Sequence, residues 1–292
     1  MAFRARGDSK VAFRHRGRAG AGSARQAALV DIPGWPAQLP PLVNAEPLPG
    51  GLVCTVLGGT LGDGRQVVVK RCPYPAEVEA DGLAALAGAG APVPQVLAAT
   101  GDLLVLERVD GTPDWAGLGR TVARLHRVTG PRFGWHRDNS GGRITQHNGW
   151  HDDWPTFFVE NRVWVHLADP AVPDARRRRL ERACAGPLPA LLPARPPASL
   201  THGDLWTGNV VGGRWLVDPA VAYVDRELEL AFMDRADLPA EFHDAYREEW
   251  PPDPGYPQRR PALQLHKLLV NVRHFGERYV RPIEAVLDGY GW

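Results

Sequence analysis

The sequence predicts an α+β chain of two lobes, a small antiparallel-sheet N-lobe followed by a larger, mainly helical C-lobe. Three observations carry that expectation. From about Leu48 to Lys70 short β-branched runs alternate with glycine turns, as in a hairpin. The next stretch, to Glu107, reads helix, strand, strand, and beyond Asp110 the apolar residues recur at helical spacing. The 292 residues are enough to bury a substantial core in two lobes. Hydrophobic content of 44% and charged content of 23% are those of a soluble globular protein, and a net charge of +1 gives no reason to expect nucleic acid as a partner. No apolar run approaches the roughly 18 residues a membrane span requires, so no membrane partner is expected. The N-terminus lacks the continuous apolar core of a secretion signal. Three cysteines without metal-ligand spacing leave at least one unpaired, which suits a reducing cytoplasm.

The elements follow in order. Residues 1–28 carry seven Arg and Lys against the single Asp8, among Gly, Ala and Ser, and read as a disordered basic extension. The N-lobe is expected over 29–109 and the C-lobe over 110–292. Gly50 and Gly51 precede the first run, Leu52–Leu57, and the turn Gly62-Asp63-Gly64 leads to Gln66–Lys70. Glu77 to Leu86 has helical spacing at Val78, Leu83 and Leu86 and ends in glycines. Two short strands, Val96–Ala98 and Leu103–Glu107, close the N-lobe. In the C-lobe, Leu118, Val122 and Leu125 mark a helix with His126 beside its apolar face, read as a hydrogen-bonded core histidine. A polar, aromatic loop from Phe133 to Trp150 has no regular pattern. A helix opening at Asp153-Trp154-Pro155 and running to Leu167 is apolar nearly all round and is expected to be buried; Arg162 on it suits either an ion pair or a substrate contact. Arg176–Arg179 read as a solvated basic face, Pro187–Ser199 as a Pro-rich connection, and Leu238–Gly289 as helical with one break at 251–256.

The chemistry concentrates between Leu200 and Asp218. Asp204 is followed five residues later by Asn209, and Asp218 closes the next short apolar run. An Asp able to accept a hydroxyl proton, an Asn able to bind a metal and a second, metal-binding Asp are the catalytic loop of protein-kinase-like phosphotransferases. Upstream, Gly50 and Gly51 would let backbone amides approach phosphate oxygens. Lys70 ends a strand where its amine can reach the α- and β-phosphates. Glu79 is the helical acid expected to hold it, with Glu77 as the alternative. Glu107 ends the strand at which such folds join their lobes and bind adenine through the backbone. The N-lobe is therefore the expected nucleotide-binding part, and the C-lobe carries the catalytic loop and the substrate site.

Four stretches resemble the fructosamine kinase (ketosamine 3-kinase) family, relatives of aminoglycoside and choline kinases: HGDLWTGN at 202–209, FGWHRDNSGGRITQHNGWHDDWPTFFVENR at 133–162, DPAVAYVDRELELAFM at 218–233 and DPGYPQRRPALQLHKLLVNVRHFGERY at 253–279. The resemblance implies a two-lobed protein-kinase-like fold, ATP as donor and Mg²⁺ as metal. It implies as acceptor the 3-hydroxyl of a ribulosamine, fructosamine or erythrulosamine on a glycated small molecule or protein. By the same resemblance Asp204 is the base, Asn209 and Asp218 are the metal ligands, and Lys70 with Glu79 is the phosphate clamp. His202, Trp206, Trp150 and Arg162 are candidate substrate contacts, and the protein would be a monomer or homodimer. The sequence departs from the family at Leu52 and Cys54 in the glycine loop, at Val224 where a Gly is usual, and at Glu229 where an Asp is usual. The competing expectations are a kinase of another aminated small molecule, such as an aminoglycoside, and a pseudokinase scaffold. The latter would lack one of Lys70, Asp204, Asn209 or Asp218, and all four are present.

Overall fold

A computed structural model describes residues 29–49 and 53–292, which form two compact units. The basic extension and the pair Gly50-Gly51 lie outside the described residues. The first unit contains 29–76 and 96–108; the second contains 77–95 and 109–292.

The first unit is a five-stranded antiparallel sheet. Its strands are β1 (Leu42–Pro47), β2 (Thr55–Leu61), β3 (Gln66–Arg71), β4 (Val96–Thr100) and β5 (Leu103–Glu107), in the spatial order β1-β2-β3-β5-β4. The hairpin expected from the sequence is β2–β3, with Lys70 paired to Val56 and Gly58 to Val68. Gly58 and Gly59 are strand residues and not a turn. A Cβ on Gly59 would lie 2.7 Å from the Leu42 side chain, so the glycine is what lets β1 pair closely with β2. Strand β1 was not expected. Its sequence LVNAEP has no clean alternation and ends in proline, which an edge strand tolerates. Leu42, Leu57, Leu61, Val67, Val69, Leu103 and Val105 make the core of this unit. A disulfide joins Cys54 to Cys72 and leaves Cys184 as the buried free thiol.

The second unit begins with α1 (Ala76–Gly88) and resumes with α2 (Trp115–Leu125), whose N-cap Asp114 accepts a hydrogen bond from the Gly117 N–H. The polar loop is more regular than the sequence suggests. It holds the hairpin β6 (Asn139–Gly141) and β7 (Ile144–Gln146), and its ends are tied by reciprocal bonds between Phe133 and His151. The helix opening at Asp153 is α3 (Trp154–Phe158), but it widens into a π turn at Val159–Val163 and tightens into a 3₁₀ turn at Trp164–His166. That change of winding turns the helix face, and Trp164 ends half exposed where an all-round buried helix was expected.

Next come α4 (Asp174–Cys184) and α5 (Pro187–Leu191), the latter inside the Pro-rich connection. The Arg176–Arg179 run is more than a solvated face: Arg176 pairs with Glu284, and Arg179 with Asp288 at 2.7 Å. Strand β8 (Ser199–Thr201), the two-stranded ribbon β9 (Val210–Val211) and β10 (Trp215–Leu216), and β11 (Ala222–Val224) frame the catalytic loop. The chain ends in α6 (Arg226–Met233), α7 (Ala240–Glu249), α8 (Tyr256–Phe275) and α9 (Val280–Tyr290). Trp154, Phe157, Phe158, Phe242 and Tyr246 are among the largest side chains of its core. Among the described residues no helix is long and apolar enough to cross a membrane.

Candidate active site

Strand β8 pairs antiparallel with β11, Thr201 opposite Ala222, and delivers the chain into the loop at His202. The loop is held at its entrance by one carboxylate. Glu229, on α6, accepts from the backbone N–H of His202 at 3.0 Å and of Gly203 at 2.6 Å, and contacts His126 Nε2 at 2.9 Å. Burial opposes ionisation of Glu229, but the hydrogen bond and charge of His126, with the contribution of His202, outweigh it and hold the carboxyl below its ordinary range. His126 is fully buried, and its Nδ1 contacts the Tyr246 hydroxyl at 2.7 Å. It is the hydrogen-bonded core histidine expected of it.

Gly203 has φ +82°, and a Cβ there would fall 1.9 Å from the Ala220 carbonyl oxygen. This is the physical reason a glycine stands before Asp204: the left-handed backbone and the close Ala220 carbonyl both exclude a side chain. His202 then locks the two halves of the loop together. Its Nδ1 accepts from the Asp204 N–H at 3.2 Å, so its Nε2 carries the proton and donates to the Val217 carbonyl at 3.0 Å. Burial keeps the ring neutral by lowering its pKa.

Asn209 ends a 3₁₀ turn at Thr207–Asn209. Its Nδ2 donates to the Asp204 backbone oxygen at 2.8 Å and to Asp204 Oδ2 at 3.1 Å. The amide oxygen, Oδ1, is the lone-pair-bearing end left for a cation. The Val217 N–H donates to the Asn209 carbonyl at 3.0 Å, placing Asp218 next in line. Asp218 has φ +55°, a left-handed conformation unusual outside glycine and frequent where function dictates the backbone. From the hairpin, Gln146 Nε2 donates to the Ala220 carbonyl at 3.1 Å and Asn139 Nδ2 to that of Val221 at 2.8 Å, fixing the segment that follows. Among the described residues no cluster of three or more His, Cys, Asp or Glu could hold a metal by itself. That donor set fits Mg²⁺, which takes one or two protein ligands and completes its shell with phosphate and water.

The model of the family described as Fructosamine kinase matches residues 70–290. The chain belongs to the fructosamine kinase family. It is 33% identical over 227 residues to a protein described as a probable ketoamine kinase of Enterococcus faecium, covering 73% of this chain and 82% of that one. A second probable ketoamine kinase, from Lactiplantibacillus plantarum, is 32% identical over 281 residues, covering 88% and 98% respectively. Among solved structures, a Thermobifida fusca protein described as a putative fructosamine-3-kinase superposes with a TM-score of 0.76 at 31% identity, covering 85% of this chain and 94% of that chain. The fold is protein-kinase-like, and the chain is a phosphotransferase.

Of the residues singled out from the sequence, His202, Asp204 and Asn209 come together by direct hydrogen bonds, with Asp218 adjoining Val217. Lys70 is buried on β3 and Glu107 is exposed at the end of β5, both in the first unit; Glu79 is buried on α1 in the second. Trp206 is 42% exposed on the loop, and Trp150 is half-buried and stacked with Tyr223. Arg162 is buried. It donates to the backbone oxygens of His147 and Asn161 and to Asn148 Oδ1, lies over the Phe157 ring, and is pushed down to about 9 by burial. Its guanidinium thus ties the 133–150 loop to the π turn. Sequence reasoning passed over Lys267 on α8, whose Nζ lies 2.8 Å from Asp204 Oδ1.

Proposed function

We propose that this member of the fructosamine kinase family transfers the γ-phosphoryl group of ATP to the 3-hydroxyl of a ketoamine. The acceptor class is a ribulosamine, fructosamine or erythrulosamine on a glycated amine or protein, and the 3-phosphate then breaks down to free the amine. The observation that carries this reading is the position of Asp204. Its carboxylate is oriented by two side chains and its backbone by His202, on a loop whose entrance is clamped by Glu229. A carboxylate held this way can orient a sugar hydroxyl and take its proton late in a loose transfer.

Asn209 and Asp218 would hold Mg²⁺, which screens charge on the phosphates when bound. Lys70 and Glu79 are the candidate pair for the α- and β-phosphates, Gly50-Gly51 the candidate phosphate cover, and Glu107 the adenine-side position. The exposed Trp206 and the half-buried Trp150 are the candidate faces for the acceptor, since an accessible aromatic face suits a sugar–amine adduct. The test is a screen of ATP consumption with synthetic ribulosamines, fructosamines and aminoglycosides, using Asp204→Asn as the blank. Turnover of ketoamines, reduced about 10² to 10⁴-fold in the blank, is the expected result; turnover of aminoglycosides alone overturns the reading.

A further inference from the structure

We propose that Lys267 is the positioning residue of the transfer site, an ammonium that fixes the Asp204 carboxylate while leaving it open to the acceptor hydroxyl. The inference rests on Asp204 being the base of the proposed reaction and goes beyond it by assigning a residue on α8, 63 positions away.

The first support is composition. The chain has 34 Lys and Arg residues, yet only three are lysines: Lys10, Lys70 and Lys267. Surface ion pairs on this protein are made by arginine, as at Arg65–Asp63, Arg132–Asp152 and Arg179–Asp288. Of the three, Lys70 and Lys267 fall within the described residues, and both are largely buried.

Geometry says why a lysine stands at 267. Asp204 Oδ1 receives Lys267 at 2.8 Å and Oδ2 receives Asn209 at 3.1 Å, so the two oxygens are divided between two donors. A planar guanidinium prefers to grip both oxygens of a carboxylate at once and would compete with Asn209. An ammonium is a compact point charge; it holds one oxygen and leaves lone pairs for an incoming hydroxyl. The catalytic loop 202–209 contains no Lys or Arg, so the cation must come from elsewhere in the fold. Helix α8 supplies it, with Nζ 4.7 Å from the Phe232 ring centroid and the side chain only 13% exposed. Among the described residues Asp204 is its one hydrogen-bond acceptor, so two of the three N–H groups remain to be used. Lys267 also lines a small cavity bordered by Gln146, Gly203, Glu229 and Phe232, beside the loop that carries Asp204.

Two measurements test this, one of them independent of turnover. With ¹⁵N-labelled lysine the full chain gives at most three side-chain ammonium signals, and Lys267→Met assigns the relevant one. That signal is expected to be protected from exchange in the wild type and to shift or broaden in Asp204→Asn; one that ignores Asp204→Asn overturns the proposal whatever the acceptor. The second is a double-mutant cycle on whichever acceptor the ATP screen returns. Lys267→Met, which keeps the stem over Phe232, should lower kcat about 10²-fold with KM for ATP within about twofold, the scale of a misplaced catalytic group. In the Asp204→Asn background the same change should cost less than about threefold, because the group it positions is gone. Equal losses in both backgrounds would show a merely structural role and overturn it. Failure of every ketoamine in the screen would sink the functional reading without altering the ammonium result.

Discussion

Replacing Glu229 by Gln isolates the anchor of the catalytic loop. In the native site Oε1 accepts from Gly203 N–H, while Oε2 accepts from His202 N–H and contacts His126 Nε2. Glutamine keeps the shape but puts an NH₂ group on one of these sides, where it faces a backbone donor. At least one charge-assisted hydrogen bond is lost and one buried N–H is left unpaired, each worth about 1–3 kcal/mol. A net loss of about 3 kcal/mol corresponds to roughly 6–12 °C in the melting of the second unit. Because the bonds fix the two residues before Asp204, turnover should fall about 10²-fold as the base shifts. The assay is thermal unfolding beside kcat for wild type, Glu229→Gln and Glu229→Asp, the last keeping charge but drawing back by one methylene. The pH dependence adds a signed check. The Glu229 carboxyl is held below its ordinary value of 4.5, so its contribution is present above that pH and is lost as pH falls through the lowered folded value. Glu229→Gln should not show that acid loss. A variant that melts within about 1 °C of wild type and turns over normally would refute the anchoring role.

Asp204→Asn should reduce turnover by about 10² to 10⁴ while ATP affinity is kept, and near-normal turnover would exclude Asp204 as the base. Asp218→Asn should weaken binding of the Mg²⁺–ATP complex in a calorimetric titration; an unchanged affinity would count against its assignment as a ligand. Asp225, the N-cap of α6, is pushed up to about 7 by burial, with its hydrogen bond from Glu227 N–H acting the other way. Its folded value lies above the ordinary 3.8, so the stability tied to its neutral form is full below 3.8 and declines as pH rises towards 7. Asp225→Asn keeps a capping oxygen and should flatten that decline, which denaturation midpoints at pH 5 and pH 8 would report.

What could be read from the chain alone was what lies close together in it. Asp204 and Asn209 are five positions apart on one loop, and the β2–β3 hairpin announces itself by its turn. Strand β1 stayed hidden because its pairing is made possible by a glycine on the neighbouring strand and not by its own pattern. The helix at 154–166 was placed correctly at its start, where Asp153 and Pro155 act locally. Its further course was not, since the π turn around Arg162 is satisfied by carbonyls of the distant 133–150 loop. Glu229 stood out in the sequence as a glutamate where the family usually has Asp; its partners stand 26, 27 and 103 positions away, and two of them are backbone N–H groups, which no side-chain pattern encodes.

The same limit explains Lys267 and shows where it gives way. Nothing local to α8 marks one cation in a helix that also carries Arg259, Arg260 and Arg273. Lysine against arginine is nonetheless a chemical choice that the sequence states openly: a point charge that shares a carboxylate, or a fork that takes it whole. In a chain that otherwise uses arginine for nearly all its positive charge, the two lysines within the described residues are the one on β3 that ends a β-branched run and the one that meets Asp204. Lys267 holds the carboxylate proposed as the base, and Lys70 is the cation proposed for the phosphates. Among the described residues the choice of lysine over arginine at position 267 thus carries information about the site that neither hydrophobic period nor motif spacing does.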